Sequence, residues 1–358
     1  MKILEKYIIK KFLSTFMFST FLFSLIAIFI DLSEKIDDFI LHKPTLYMVV
    51  FGYYIYFLPW FYGMFGPLFV FLSCMFFNSK LAQNTEIIAI LSTGTKYRNV
   101  LKPYLVVAAL LTTFFVLLNT ILIPICEKQK LAFEDIYVHG KKDVQSQNLH
   151  VQITPGTMLF IESFNYLDST GNNLTLERFV DSKVVQRIFA SRLLWNKRKG
   201  MWQLENFKQR IFTDDGEILV RGALKDTVLP IKPSEFIIKS QYITSMTNPE
   251  LNDYIRGEKD KGSSKLNAYY VELYRRTANS FSFFPLTLLA VAISSRKTRG
   301  GLGLHLGIGI FITMIYLLTG QVFNTLGISN VMNPMIAVWT PVVLFLIVAV
   351  IMNIKAPK

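Results

Sequence analysis

The chain has 358 residues, 52% of them hydrophobic, and a formal net charge of +13. That is too apolar for an ordinary soluble protein of this length. The positive charge clusters beside apolar runs, which marks membrane topology and sets nucleic acid aside as the expected partner.

Crossing a bilayer takes roughly 20 apolar residues in a helix. Uncharged runs of that length lie at 12–30, 44–79, 103–126 and 277–295. A last run, 300–354, has His305 as its only titratable side chain, and the turn-rich stretch 324–334 divides it into two spans. The run 44–79 lacks a polar break and reads as one long or kinked helix with an interfacial lead-in. Six spans result, with both termini on one side. The first run is too long for a signal-peptide core and lacks a small-residue cleavage site before Asp31.

Basic residues orient the spans. Lys2, Lys6, Lys10 and Lys11 precede span one, and Lys80, Lys96, Arg98 and Lys102 follow span two. Arg296, Lys297 and Arg299 follow span four, and Lys355 and Lys358 close the chain; only Glu5 and Glu86 oppose them. After span one the balance reverses, with Asp31, Glu34, Asp37 and Asp38 against Lys35 and Lys43. The expected topology therefore has cytoplasmic termini and an external insert. Cys74 and Cys126 fall at opposite depths, so no disulfide is expected, and neither has His or Cys neighbours at metal spacing.

Between span three and span four the period changes. From about His150, segments such as VQITPGTMLFIESF, KVVQRIFASRLLW, GMWQLENFKQRIF and GEILVRG alternate β-branched or aromatic residues with polar ones. Thr154-Pro155-Gly156, Ser169-Thr170-Gly171-Asn172-Asn173, Arg198-Lys199-Gly200 and Asp214-Asp215-Gly216 punctuate them as turns. About eight short antiparallel strands in a sandwich or jelly roll are expected. The stretch 127–144 reads as a helical extension of span three, and 248–257 as a short capped helix leading back to the membrane. An inert domain and one that accepts an acyl chain or a partner's strand both fit this pattern.

The sequence lacks a phosphate-cradling G-x-x-x-x-G-K-[ST], an H-E-x-x-H and a G-x-S-x-G, and the spans lack internal charges of the kind that mark ion relays. An ion-coupled transporter and an intramembrane protease are both disfavoured, so energy for any work is expected to come from a partner. The loop after span two supplies a place for one. Asn84 is placed to cap a short helix with Glu86 in its first turn; Ile87, Ile88, Ile90 and Leu91 give an apolar face, and Gly94 ends it. Such a helix either docks in a groove of a motor domain or lies on the lipid surface.

Thr85-Glu86-Ile87-Ile88-Ala89-Ile90-Leu91-Ser92-Thr93-Gly94 resembles the coupling-helix motif of the LptF/LptG family, the transmembrane subunits of the lipopolysaccharide-export ABC transporter. Asn119 to Pro124 (NTILIP), Glu272-Leu273-Tyr274-Arg275-Arg276 with Pro285, Arg299-Gly300-Gly301-Leu302-Gly303, Asn333-Pro334 and Trp339-Thr340-Pro341 extend the resemblance in order along the chain. The resemblance implies an α-helical membrane protein with six transmembrane helices and an inserted periplasmic all-β, jelly-roll-like domain. The boundaries expected are 1–126 for spans one to three with the coupling helix near 84–94, 127–265 for the β domain with its flanking helical connections, and 266–358 for spans four to six.

The resemblance also implies a bacterial inner-membrane location and a non-catalytic permease subunit. It would pair with a second LptF/LptG-type permease on a cytoplasmic ATPase dimer that uses ATP and magnesium, with no cofactor of its own. Lipopolysaccharide would enter sideways and leave through the jelly roll to LptC/LptA-like bridge proteins. On this chain, Glu86, Ile87, Ile90, Leu91 and Gly94 would engage the ATPase. Spans one and five would form lateral gates, with Phe16 and Phe23 facing an acyl cavity and Gly303 and Gly307 allowing close helix approach. Lys35, Lys43, Arg275 and Arg276 are candidate phosphate ligands at the outer rim. The acidic residues around Lys35 depart from the family's more basic rim. Two alternatives come from other classes: a membrane-anchored scaffold or sensor that moves no lipid, and a mechanotransmitting subunit, which the six spans count against because such proteins usually have fewer.

Overall fold

The structure is a computed structural model. It describes residues 3–138, 145–165, 168–181, 183–197, 199–213, 216–231, 233, 236, 240–263, 265–295 and 301–355. The chain divides into two compact units: Met1–Leu131 with Thr244–Pro249 and Asn267–Lys358, and Ala132–Ile243 with Glu250–Leu266. Among the described residues six helices are long and apolar enough to cross a membrane, and all belong wholly or mainly to the first unit.

Span one is α1 (Ile3–His42). It is 40 residues long, so it measures roughly 60 Å, about twice a hydrocarbon core. The acidic segment after Phe29 is thus the end of this helix rather than a loop. Between Asp31 and His42 there is no Gly or Pro to stop it; Lys43 in a left-handed conformation and Pro44 finally do. Span two is a π-helical turn, Met48–Tyr54, running into α2 (Ile55–Gln83), which contains Pro59 and Pro67. After the short helix α3 (Glu86–Ser92), span three is built from α4 (Tyr97–Leu117), a second π turn at Leu118–Leu122, and α5 (Ile123–Tyr137).

The chain returns through α6 (Ser240–Thr244) and α7 (Asn248–Asp260) to span four, formed by α8 (Leu266–Phe281) and α9 (Phe283–Ser294). Pro285 has no N–H to donate to the Phe281 carbonyl, and the helix is interrupted at Ser282. Spans five and six are α10 (Gly301–Ile328) and α11 (Pro334–Ile354). Asn333 caps α11 by accepting from the Met335 N–H at 3.0 Å, with Pro334 at the first helical position. The basic residues 296–299, the Arg299-Gly300 half of one family motif, and Lys2 and Lys358 lie outside the described residues, as does 139–144 of the expected extension of span three.

The first unit is organised around α2 and α9. Of α9, all but Phe284, Leu288 and Ile293 is buried, which suits a helix apolar on every side. Glycines bring its neighbours close. A Cβ on Gly63 would stand 2.6 Å from Ile123 Cδ1, and one on Gly66 would stand 2.8 Å from Phe115 Cε1. Pro67 cannot donate to the carbonyl of Gly63, four residues earlier, and Asn279 Nδ2 donates to that oxygen instead at 2.9 Å. Further polar ties cross the buried interior. Tyr104 donates to Asn78 Oδ1 at 2.6 Å, Asn78 Nδ2 donates to Ser294 Oγ at 2.9 Å, and Asn119 Nδ2 donates to Ser280 Oγ at 3.1 Å. Ser79 and His305 share a 2.6 Å hydrogen bond.

The second unit contains β1 (Gln145–Thr154), β2 (Thr157–Asn165), β3 (Thr170–Val180), β4 (Lys183–Asn196), β5 (Met201–Thr213) and β6 (Gly216–Thr227). They form one antiparallel sheet in sequence order. Among the described residues, six strands of 9 to 14 residues therefore take the place of eight short ones, and the meander has none of the crossings of a Greek key. The discrepancy has a local cause. The run Ser169–Asn173, expected as a turn, enters β3; Asn173 is left-handed within the strand, as are Asn148 in β1 and Asn206 in β5. Asparagine tolerates that conformation better than most residues.

These asparagines mark a row across the sheet where side-chain alternation changes phase. On one side of it Ile161, Leu174, Ala190 and Phe207 are paired neighbours; on the other, Phe164, Gly171, Leu193 and Leu204 are. The two rows are three residues apart, an odd offset that would put them on opposite faces of a regular sheet. Yet their buried members share one core with Trp202, whose Nε1 donates to the Ile231 carbonyl at 2.7 Å.

The Asn279 bond yields a test. Asn279→Leu should leave the Gly63 carbonyl unsatisfied and destabilise the protein by about 1 kcal/mol. Thermal denaturation in detergent should show a lower midpoint than wild type, and an unchanged midpoint would show that another donor serves that oxygen.

Candidate functional site: the short helix, the span faces and the outer charges

Residues Lys80–Gln83 complete α2, and the chain then reverses through Thr85, which is left-handed at φ 61°. Asn84 does not cap α3: the cap position is Thr85, and no side chain caps the helix. Asn84 instead donates from Nδ2 to Glu86 Oε1 at 3.2 Å. The other carboxylate oxygen, Oε2, accepts from the Tyr7 hydroxyl on α1 at 3.0 Å. Ile87 is buried, and Ile90 and Leu91 pack against the same transmembrane core. These three side chains, expected to fill a partner's groove, anchor α3 to its own subunit. Ile88 is the large apolar residue that α3 leaves exposed. Gly94 ends the helix at φ 79°, its N–H donating to the Leu91 carbonyl at 3.1 Å.

Spans one and five differ from spans two and four. In their most apolar stretches, 11% of α1 and 22% of α10 is buried, against 61% of span two and 67% of span four. On α1, Phe18, Phe21, Leu22, Leu25 and Phe29 form an exposed stripe at helical spacing. Phe16 and Phe23 are not part of it. Phe16 is buried in a T-shaped pair with Phe115, and Phe23 stacks on Phe69 with centroids 5.3 Å apart. On α10, Leu304, Ile308, Phe311, Ile315, Leu318 and Val322 form a second stripe. Gly303 and Gly307 meet open space, whereas Gly309 packs against its own chain, 2.8 Å from Met75 Sδ for an added Cβ.

Most of the expected phosphate ligands are already engaged. Lys35 pairs with Asp31 at 2.9 Å, with side chains only 15% and 12% exposed. It also bonds the Tyr53 hydroxyl and lies 4.6 Å from the centre of that ring, while Tyr53 donates to Asp31 at 3.1 Å. Arg276 is 5% exposed and donates to Glu272 Oε1, to Asn248 Oδ1 at 2.8 Å and to the Thr244 carbonyl at 3.1 Å. Arg275 pairs with Glu272 at 2.6 Å but keeps about half of its side chain exposed, and Lys43 is exposed.

Sequence reasoning passed over Glu127 and Lys130, both buried at the end of span three. Glu127 Oε1 accepts from Thr244 at 2.6 Å, and the Lys130 ammonium stands 3.7 Å from the Trp60 ring centre. The signal was available: charges three apart just past an apolar run share a helix face. Among the described residues no cluster of His, Cys, Asp or Glu is suited to a metal, and Cys74 and Cys126 are free and buried.

The profile of the lipopolysaccharide export system permease LptF/LptG matches residues 6–355, nearly the whole chain. The chain belongs to the LptF/LptG family. No curated protein matches it closely enough to count as a relative. Membership makes this a multi-pass membrane protein of the permease type, with the β sheet inserted between its third and fourth spans.

The Asp31–Lys35 pair separates a structural role from ligand binding. Lys35→Met should strand a mostly buried carboxylate and cost about 3 kcal/mol, whereas the double change with Asp31→Asn should recover most of the loss. Melting temperatures of the single and double variants check this; equal losses in both would mean that Lys35 acts through something other than Asp31.

Proposed function

We propose that this chain is the transmembrane subunit of an inner-membrane machine that extracts lipopolysaccharide with energy supplied by a separate cytoplasmic ATPase. Family membership supports the substrate class and the permease role. The observation that carries the coupling scheme is the contact between Tyr7 and Glu86. The ATPase docks on the exposed side of α3, around Glu86 and Ile88. Because Ile87, Ile90 and Leu91 root α3 in the span core, a push on the helix is delivered into the bundle and not absorbed by a loose loop. The Tyr7 bond takes the same displacement to α1.

In this reading a second permease of the same family faces the exposed stripes of α1 and α10, and the acyl chains enter between them. Phe18, Phe21 and Phe29 line that cavity on this chain, in place of Phe16 and Phe23. Lys43 and Arg275 are the rim cations accessible to phosphate, with the partner permease supplying the rest. The insert is periplasmic. Its strand β6 is an edge of the sheet and exposes Ile218, Leu219, Val220 and Leu224, a surface suited to accepting a strand from a bridge protein.

Two variants test the coupling scheme in the complete complex. Glu86→Lys should remove ATPase association and lipopolysaccharide-stimulated ATP turnover while membrane insertion is kept. Tyr7→Phe should keep ATPase association but lower the lipid released per ATP severalfold. Full lipid release in Tyr7→Phe would remove that bond from the scheme, and unchanged turnover in Glu86→Lys would make α3 a surface helix only. For the insert, a photocrosslinker at Leu219 should capture a periplasmic protein with a β-strand edge, and one at Thr175 in the middle of the sheet should not.

A further inference from the structure

Beside α3, a cavity of about 800 Å³ opens at the ends of α4 and α11. Leu288 is one of the few α9 residues left unburied, and it contributes to the lining together with Leu101 of α4 and Val350 of α11. All three are membrane-span residues. The polar part of the lining is Thr95, Lys96, Tyr97, Arg98 and Asn353. Tyr97 donates to Asn353 Oδ1 at 3.0 Å, and Asn353 Nδ2 donates to the Leu288 carbonyl at 2.9 Å. These bonds tie α4, α9 and α11 together at the polar end of the cavity. Lys96 and Arg98 are exposed and make no ion pair with any described residue.

The cavity thus joins an apolar slot between spans to two adjacent, uncompensated cations. A simple anion would use the cations and leave the slot unfilled. A purely apolar ligand would leave the cations without a counter-charge. An amphiphile with a phosphate at one end uses both, and a slot walled by spans is filled from the bilayer. We infer that this groove holds an anionic glycerophospholipid of the leaflet on the basic side of the protein. Its phosphate lies against Lys96 and Arg98, where basic residues at a membrane surface favour anionic lipid. One acyl chain follows Leu101, Leu288 and Val350. The site is separate from the lipopolysaccharide path, which the stripes of α1 and α10 serve, and it does not depend on that reading.

The test uses the full-length protein, stripped of lipid in detergent and titrated with phosphatidylglycerol or phosphatidylcholine, with bound lipid counted by native mass spectrometry. Wild type should retain phosphatidylglycerol severalfold over phosphatidylcholine. Lys96→Gln with Arg98→Gln should abolish the preference, and Lys96→Arg should keep it. Leu288→Trp, which fills the slot and leaves the cations, should reduce retention of both lipids; should it fail to fold, Val350→Phe serves the same purpose. Equal preference in wild type and the double glutamine variant would overturn the inference. So would displacement of the lipid by inorganic phosphate alone, which would make this a plain anion site. Unaltered lipid retention with loss of the copurifying ATPase would reassign the groove to protein docking.

Discussion

A helix broken inside hydrocarbon must find new partners for its backbone, because no water is there to supply them. In this protein one place where the requirement falls is the Gly63 carbonyl, which Pro67 leaves bare and Asn279 completes through a hydrogen bond. Much of the first unit follows from that bond. It fixes span four against span two at a depth where Gly63 and Gly66 already allow Ile123 and Phe115 to press close. With α9 thereby enclosed, its all-round apolar surface is accommodated, and spans one and five are left at the margin with their stripes uncovered.

The charges obey a related economy. Lys35, Arg276, Glu127 and Lys130 lie where burial is costly, and each is matched by an opposite charge, a hydroxyl, a carbonyl or a ring face. A family member whose cations are committed in this way has less to offer a phosphorylated substrate on this rim. That agrees with the acidic tenor of the end of α1; in the function proposed above, phosphate recognition would then fall to Arg275, Lys43 and the second permease.

The six spans were legible because apolar length is a strong signal, and the switch to a period of two announced the inserted sheet. Their ends were not. Absence of charge marked only the middle of α1, whereas the helix continues through Asp31, Glu34 and Asp38 until Pro44 intervenes. The strand count failed at the asparagines: Asn173 reads as a turn residue because its left-handed tolerance is the same whether it reverses the chain or dephases a strand. At α3 the residue types were found but their directions were not. Ile87 and Ile88 are equally apolar in sequence, and only packing decides that the first is inside and the second outside. The pairing of Tyr7 with Glu86 is 79 residues long-range, beyond any local pattern.

The length of α1 has a mechanical side. The helix has no proline or glycine at which to flex, and it carries Tyr7 near one end and Asp31 and Lys35 toward the other. In the proposed coupling scheme, motion delivered at Tyr7 would meet no proline or glycine hinge along the way. A rigid rod roughly 60 Å long, pivoted at one end and tilted by about 5°, moves its far end by about 5 Å, one helical turn. In that scheme span one would be a lever arm, and the distance over which it acts would be set by the absence of a single helix-breaking residue between Met1 and Lys43.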